Sequence, residues 1–137
     1  MQPRPAPPEI LDDDPPVDAV MTDRIVAITP DAPLGTALRL MAAGDVRHLP
    51  VVDGARCTGM VVEADVVRAV AVGGAPLVGP LARPVHRLPV TARRSEVARA
   101  VLDGGVDAVL VEHRGRLVGI VTTTDLVRSL AAGRAVR

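Results

Sequence analysis

A 60-residue internal repeat constrains this chain more than any single residue does. Shifted by 60 positions, Gly59-Met60-Val61-Val62-Glu63-Ala64-Asp65-Val66-Val67-Arg68 falls on Gly119-Ile120-Val121-Thr122-Thr123-Thr124-Asp125-Leu126-Val127-Arg128. The same shift carries Gly44 onto Gly104, Val46 onto Val106, Val51 onto Val111 and Arg56 onto Arg116, so residues 17 to 71 and 77 to 131 are two copies of one pattern. One copy alone encloses too little interior to be stable, which makes two copies facing each other the expected folding unit. Such a pair leaves clefts between its halves, a usual place for a small ligand.

The interior has to be aliphatic. Of 137 residues 48% are apolar, yet none is Phe, Tyr or Trp, so the core is expected to be Val, Leu, Ile, Ala and Met. Sixteen basic residues, all Arg, balance sixteen acidic ones; this neutrality argues against a general nucleic-acid binder, which needs a basic footprint and, for single strands, aromatic stacking platforms. A single cysteine, Cys57, excludes an intrachain disulfide and suits a reducing cytoplasm. With no 18-residue apolar run and no basic leader ahead of an apolar segment, neither a membrane span nor a signal peptide is expected.

Residues 1 to 15 hold five prolines and an Asp run, a composition that predicts a disordered tail. Beyond it, Val17, Val20 and Met21 fit one short helical turn, and Ile25-Val26-Ala27-Ile28 reads as a first strand. Thr29 or Asp31 is expected to accept from free amides at the start of a helix whose apolar face is Leu34, Ala37, Leu38 and Met41, with Gly44 as a left-handed cap. Leu49 to Val52 and Cys57 to Val62 form a hairpin around Asp53-Gly54, and Glu63 to Val72 returns to a helical period that Gly73-Gly74 stops. In the second copy, Val85 to Val90 is the strand, Ser95 to Leu102 the helix, Ala108 to Val111 and Leu117 to Val121 the hairpin, and Thr124 to Ala132 the last helix. Between Leu88 and Glu96 two alignments of the copies, a residue or two apart, are open.

This order gives an α/β (α+β) class: two β-α-β-β-α repeats packed about a pseudo-twofold axis. Repeat 1 is placed at 16–75 and repeat 2 at 76–132, followed by a short tail at 133–137. Three segments then carry a specific likeness: Val20-Met21-Thr22, Val46-Arg47-His48-Leu49-Pro50-Val51-Val52-Asp53, and Gly119-Ile120-Val121-Thr122-Thr123-Thr124-Asp125. With them, residues 16 to 132 resemble a tandem pair of cystathionine β-synthase (CBS) domains, the Bateman module.

From spacing alone, Thr122-x-x-Asp125 at a strand-to-helix turn reads either as a capping box or as an anion site on free amides. The resemblance implies more: Thr122 touches phosphate, and Asp125 takes the ribose hydroxyls of an adenosine nucleotide. It also implies that Arg47 and His48 face the phosphates of AMP, ADP or ATP in the same cleft, with adenine against Ile25, Val26, Ala27, Val46 and Ile120. S-adenosylmethionine fits less well, its cation lying beside Arg47. In repeat 1, Asp65 keeps the acceptor, but Val62 replaces the hydroxyl and Asp107 stands where Arg47 would. Val62, Asp65 and Asp107 are therefore expected to form a second, weaker cleft opposite the first.

Neither His48, His86, His113 nor Cys57 shows metal-site spacing, and no nucleophile is paired with a histidine and a carboxylate, so no metal and no catalysis are expected. The resemblance implies a stand-alone regulatory module, a homodimer, and an effector protein as its partner. The competing reading is a ligand-free interaction module.

Overall fold

The computed structural model describes residues 14–74 and 76–135. Most of the tail expected at 1–15 lies outside them. Asp14 and Pro15 do not: the Asp14 carboxylate accepts from the Ser95 backbone amide at 2.8 Å and from its hydroxyl at 2.7 Å, and the Pro15 carbonyl accepts from the Arg94 amide at 2.9 Å. Local composition could not reveal that these two residues cap a helix 80 positions away.

Repeat 1 contains α1 (Leu34–Gly44), β1 (His48–Asp53), β2 (Arg56–Val62) and α2 (Glu63–Val72). Repeat 2 contains β3 (His86–Pro89), α3 (Arg94–Asp103), β4 (Ala108–His113), β5 (Arg116–Thr122) and α4 (Thr123–Ala135). The duplication extends to detail. Each hairpin carries a β-bulge at the same place, between Val51 and Val52 in one copy and between Val111 and Glu112 in the other. The register left open in the sequence is resolved too, because Leu88 pairs in parallel with Val111 just as Ile28 bridges Val51.

Four local expectations are corrected. Ile25 to Ile28 is not a strand: only Ile28 bridges β1, donating to Pro50 and accepting from Val52. β-Branched composition favours extension, but nothing beyond Ile28 has an edge to pair with. Neither Thr29 nor Asp31 caps α1; Pro33 is its N-cap residue, and the first helical amide reaches the Pro76 carbonyl instead. At the other end Gly44 stays helical and Asp45 adopts the left-handed conformation (φ 52°), which Asp tolerates better than most residues. Finally, α4 continues to Ala135 through part of the expected tail.

Side-chain alternation divides the interior. Leu49 and Val51 of β1 with Val61 of β2 face α1 and α2, meeting Ala37, Met41, Val66 and Ala69. Val109, Val111 and Val121 likewise face α3 and α4. Neighbouring residues in three of these strands point the opposite way. Met60, Ala108, Leu110 and Ile120 thus form a third cluster with Val106, in which the two hairpins pack face to face. Each hairpin is covered on both faces, so an aliphatic sequence suffices.

The boundaries between repeats are crossed in both directions. Val17, fully buried, belongs to the core of repeat 2 together with Val20, and Met21 packs against it. Val78, equally buried, belongs to the core of repeat 1. Each copy is therefore completed by the segment that leads into the other.

Candidate functional site

The exchange of lead-in segments builds the site. Thr22 lies antiparallel to Ile120, donating to its carbonyl at 2.9 Å and accepting from its amide at 3.0 Å. Two residues further along β5, the strand gives way to α4 at Thr122. Here the capping box forms: the Asp125 carboxylate accepts from the Thr122 amide at 2.9 Å and from the Thr122 hydroxyl at 3.2 Å, and the Asp125 amide donates to that hydroxyl at 3.4 Å. The second carboxylate oxygen accepts from the Thr22 hydroxyl at 3.1 Å and lies 3.5 Å from Arg128 Nη1. Asp125 is 8% exposed, the one buried charged side chain among the described residues. Its burial is tolerated because both oxygens have donors.

These groups border a cavity of about 710 Å³ between the repeats. Repeat 2 contributes Thr122, Thr123, Thr124, Asp125 and Ile120. Repeat 1 contributes Arg47, His48 and Val46 together with Ile25 and Val26 of the lead-in segment. Eight of the nine residues expected in the main cleft thus share one cavity, and Ala27 is not on its wall. Thr22, Arg24, Asp45, Glu63 and Arg128 also line it, and none of them was singled out from the sequence. Arg128 had a visible signal, since the 60-residue shift places it on Arg68. Thr22 sat in a motif that had been assigned no role.

The expected opposite cleft is not arranged as the sequence implied. Val62 and Asp107 line the same cavity as Thr122 and Arg47, because the hairpins pack face to face and bring the starts of β1 and β4 together at the axis. Asp65 lies off this wall. Its carboxylate is clamped by Arg83, Nε to Oδ2 at 2.6 Å and Nη2 to Oδ1 at 2.8 Å, with Arg68 Nη1 at 3.3 Å. Hydrogen bonding from the Arg83 guanidinium holds the Asp65 carboxyl below its ordinary range; burial opposes this, and the Arg83 and Arg68 charges add to the lowering. The α2 turn lacks a box: Val62 is its N-cap residue with no side-chain bond, and the Glu63 amide donates to the Arg47 carbonyl.

Burial lowers the His48 pKa from its ordinary value. A hydrogen bond with the Val106 backbone and the Asp107 carboxylate oppose that shift, while Arg47 adds to it. A neutral imidazole therefore faces the cavity at neutral pH. The cavity wall carries Arg24, Arg47 and Arg128 against Asp45, Glu63, Asp107 and Asp125, a mixed surface suited to a ligand with both hydroxyl and anionic groups. Among the described residues no group of three or more His, Cys, Asp or Glu is placed to hold a metal, and no helix is long and apolar enough to cross a membrane.

Comparison with known proteins agrees with this architecture. A sequence model of the CBS domain matches residues 17–72 and again residues 78–132. A homoserine O-acetyltransferase of Methanococcoides burtonii is 29% identical over 80% of this chain, and an uncharacterized protein of Methanocaldococcus jannaschii is 26% identical over 85%. The chain spans only 23% and 43% of the length of these two relatives. Among solved structures, Hypoxic Response Protein I with two coordinated zinc ions superposes with a TM-score of 0.72 at 28% identity, covering 82% of this chain and 97% of that one. CBSX2, a CBS-pair protein of Arabidopsis thaliana, in complex with AMP gives 0.73 at 25% identity, covering 89% and 98%. The CBS domain of a bacterial CNNM/CorC family Mg2+ transporter in complex with ATP gives 0.78 at 21% identity over 90% and 92%, a likeness of fold.

Proposed function

Because the chain belongs to the CBS domain family, with two repeats in one polypeptide, we propose that it is a regulatory module that binds one adenosine nucleotide, AMP, ADP or ATP, in the cavity between its repeats. One observation carries this reading. The Thr122 and Asp125 turn of repeat 2, the Arg47 and His48 edge of repeat 1 and the aliphatic side chains of Ile25, Val26, Val46 and Ile120 border a single space of about 710 Å³. That size falls within the range of small-molecule pockets, roughly 300–1,000 Å³. The likeness to a CBS-pair protein solved with AMP supports the same ligand class.

The residues divide the work by chemistry. Ribose hydroxyls donate to Asp125 in charge-assisted bonds, one of them replacing the Thr22 hydroxyl. Phosphate oxygens accept from Thr122 and from the Arg47 fork, whose charge is fixed at any relevant pH. Adenine lies against the aliphatic wall. Binding is the proposed output, and it is passed on by association.

A second copy of the chain and an effector protein are the proposed recipients. Val67 and Val70 on α2 are 52% exposed, and their repeat-2 counterparts Val127 and Leu130 on α4 are 60% and 49% exposed. Two matched apolar patches favour an isologous contact. They also support the alternative in which the chain is an interaction module with no ligand.

Thermal melting separates the readings. At one hundred times the dissociation constant a ligand stabilises by about 2.7 kcal/mol, a rise of roughly 10 °C for a domain of this size. The rise is expected with millimolar AMP, ADP or ATP, to be smaller with S-adenosylmethionine, and to vanish in Asp125→Ala. No rise with any adenylate would leave the interaction module as the surviving reading.

A further inference from the structure

The segments leading into the two repeats place different residues at one equivalent position. Thr22 exchanges both backbone hydrogen bonds with Ile120, and Arg83 exchanges both with Met60, at 2.9 and 2.8 Å. Ile120 and Met60 are partners under the 60-residue shift, so Thr22 and Arg83 occupy matching places beside their hairpins. Each side chain reaches the aspartate that opens the adjacent helix. There the likeness ends. Thr22 gives one neutral hydroxyl to one oxygen of Asp125 at 3.1 Å, whereas Arg83 covers both oxygens of Asp65 with its fork at 2.6 and 2.8 Å.

The neighbouring helix arginine does not account for the closure. Arg68 and Arg128, also partners under the shift, lie 3.3 and 3.5 Å from their aspartates, so that cation is common to both. A hydroxyl hydrogen bond can be replaced one for one by a ligand hydroxyl at little cost. A bidentate guanidinium–carboxylate pair cannot, because charge-assisted bonds are roughly twice as strong and a neutral hydroxyl leaves the displaced charge unpaired.

We propose that the residue at this position, Thr22 or Arg83, determines which half-site admits a ligand, and that Arg83 is a built-in plug of the Asp65 half-site. The inference rests on the reading that Asp125 takes the hydroxyls of a ribose. It adds that the module holds one nucleoside and not two because an arginine of the segment leading into repeat 2 already fills the second acceptor.

Equilibrium dialysis with adenosine and with AMP tests it, with circular dichroism and melting curves to establish that each variant is folded. Adenosine is included because it offers the ribose hydroxyls without a phosphate, so its binding reads the aspartate acceptor alone. The wild type is expected to take one equivalent of either probe. Thr22→Arg should lower its affinity by 100-fold or more by plugging the Asp125 site. Val62→Thr alone, which restores only the missing hydroxyl, should stay at one equivalent, and Val62→Thr with Arg83→Thr should rise to two with adenosine.

A double variant that remains at one equivalent, or a wild type that takes two, overturns the plug. If Thr22→Arg fails to fold, the double variant decides alone. Adenosine bound by the double variant but by no wild-type protein would leave the plug standing and remove the nucleotide reading of the Asp125 site. Binding by neither overturns both.

Discussion

The two strand-to-helix turns, Thr122 to Asp125 and Val62 to Asp65, descend from one pattern yet have settled into opposite states. In repeat 2 the aspartate is buried, caps its own helix and holds one exchangeable neutral donor; in repeat 1 it has no cap to serve and is locked to Arg83. A conserved backbone path can therefore carry one ligand-ready carboxylate and one structural ion pair, the choice being made by residues outside the turn. Recognition chemistry is set by who else reaches the carboxylate, more than by the carboxylate itself.

The sharpest way to separate the halves is at their equivalent glycines. A Cβ on Gly59 would stand 2.8 Å from the Arg83 carbonyl oxygen, which the antiparallel bridge fixes, whereas one on Gly119 would meet the flexible Met21 thioether. Gly59→Ala is expected to lose about 1–3 kcal/mol by overpacking, and Gly119→Ala distinctly less, measured as shifts in urea midpoint at constant slope. Equal losses would mean that the two lead-in segments are held alike.

Exchanging the cap comes next. Thr122→Val should cost about 1 kcal/mol, and Val62→Thr should return up to about 1 kcal/mol, because a hydroxyl at an extended N-cap residue satisfies a free helix amide. If Val62→Thr gains nothing, the α2 turn differs from α4 in backbone geometry and not only in side chain.

Acid titration gives two smaller effects of different origin. His48 has a folded pKa below its unfolded one, so the folded state resists protonation; its contribution is intact above the ordinary histidine pKa and lost as pH falls through that range. In His48→Gln that loss of melting temperature between about pH 7.5 and 5.5 should disappear. Asp65, also depressed, contributes above the ordinary carboxylate range and loses its contribution as pH falls below it. Asp65→Asn should flatten that lower limb alone, and the effect should shrink in high salt because Arg83 is exposed to solvent.

Much of the fold was legible because it is written in local periodicity. The α2 stop at Gly73 (φ 67°) and the four hairpin strands follow from apolar spacing and glycine, and the repeat itself pointed to the face-to-face packing. What escaped was non-local. Nothing around Val17 says that it completes repeat 2, nor does anything around Asp14 say that it caps α3. Asp107 was assigned to the wrong cleft because register along a strand does not reveal where two hairpins touch. Arg83 escaped as well: it matches Thr22 only under a shift of 61, one residue out of step with the hairpins.

The swapped lead-in segments carry a consequence for how the molecule comes apart. A cut near residue 75 would strand Val17 on the fragment that does not need it and Val78 on the other, leaving each half with a hole in its interior and an orphan valine on its surface. Denaturation should run as a single cooperative event, and separately expressed halves should gain structure only on mixing. A lone repeat could fill that hole only by borrowing from another molecule. Joining two in tandem makes the loan internal, at an effective concentration on the order of millimolar set by the connecting chain.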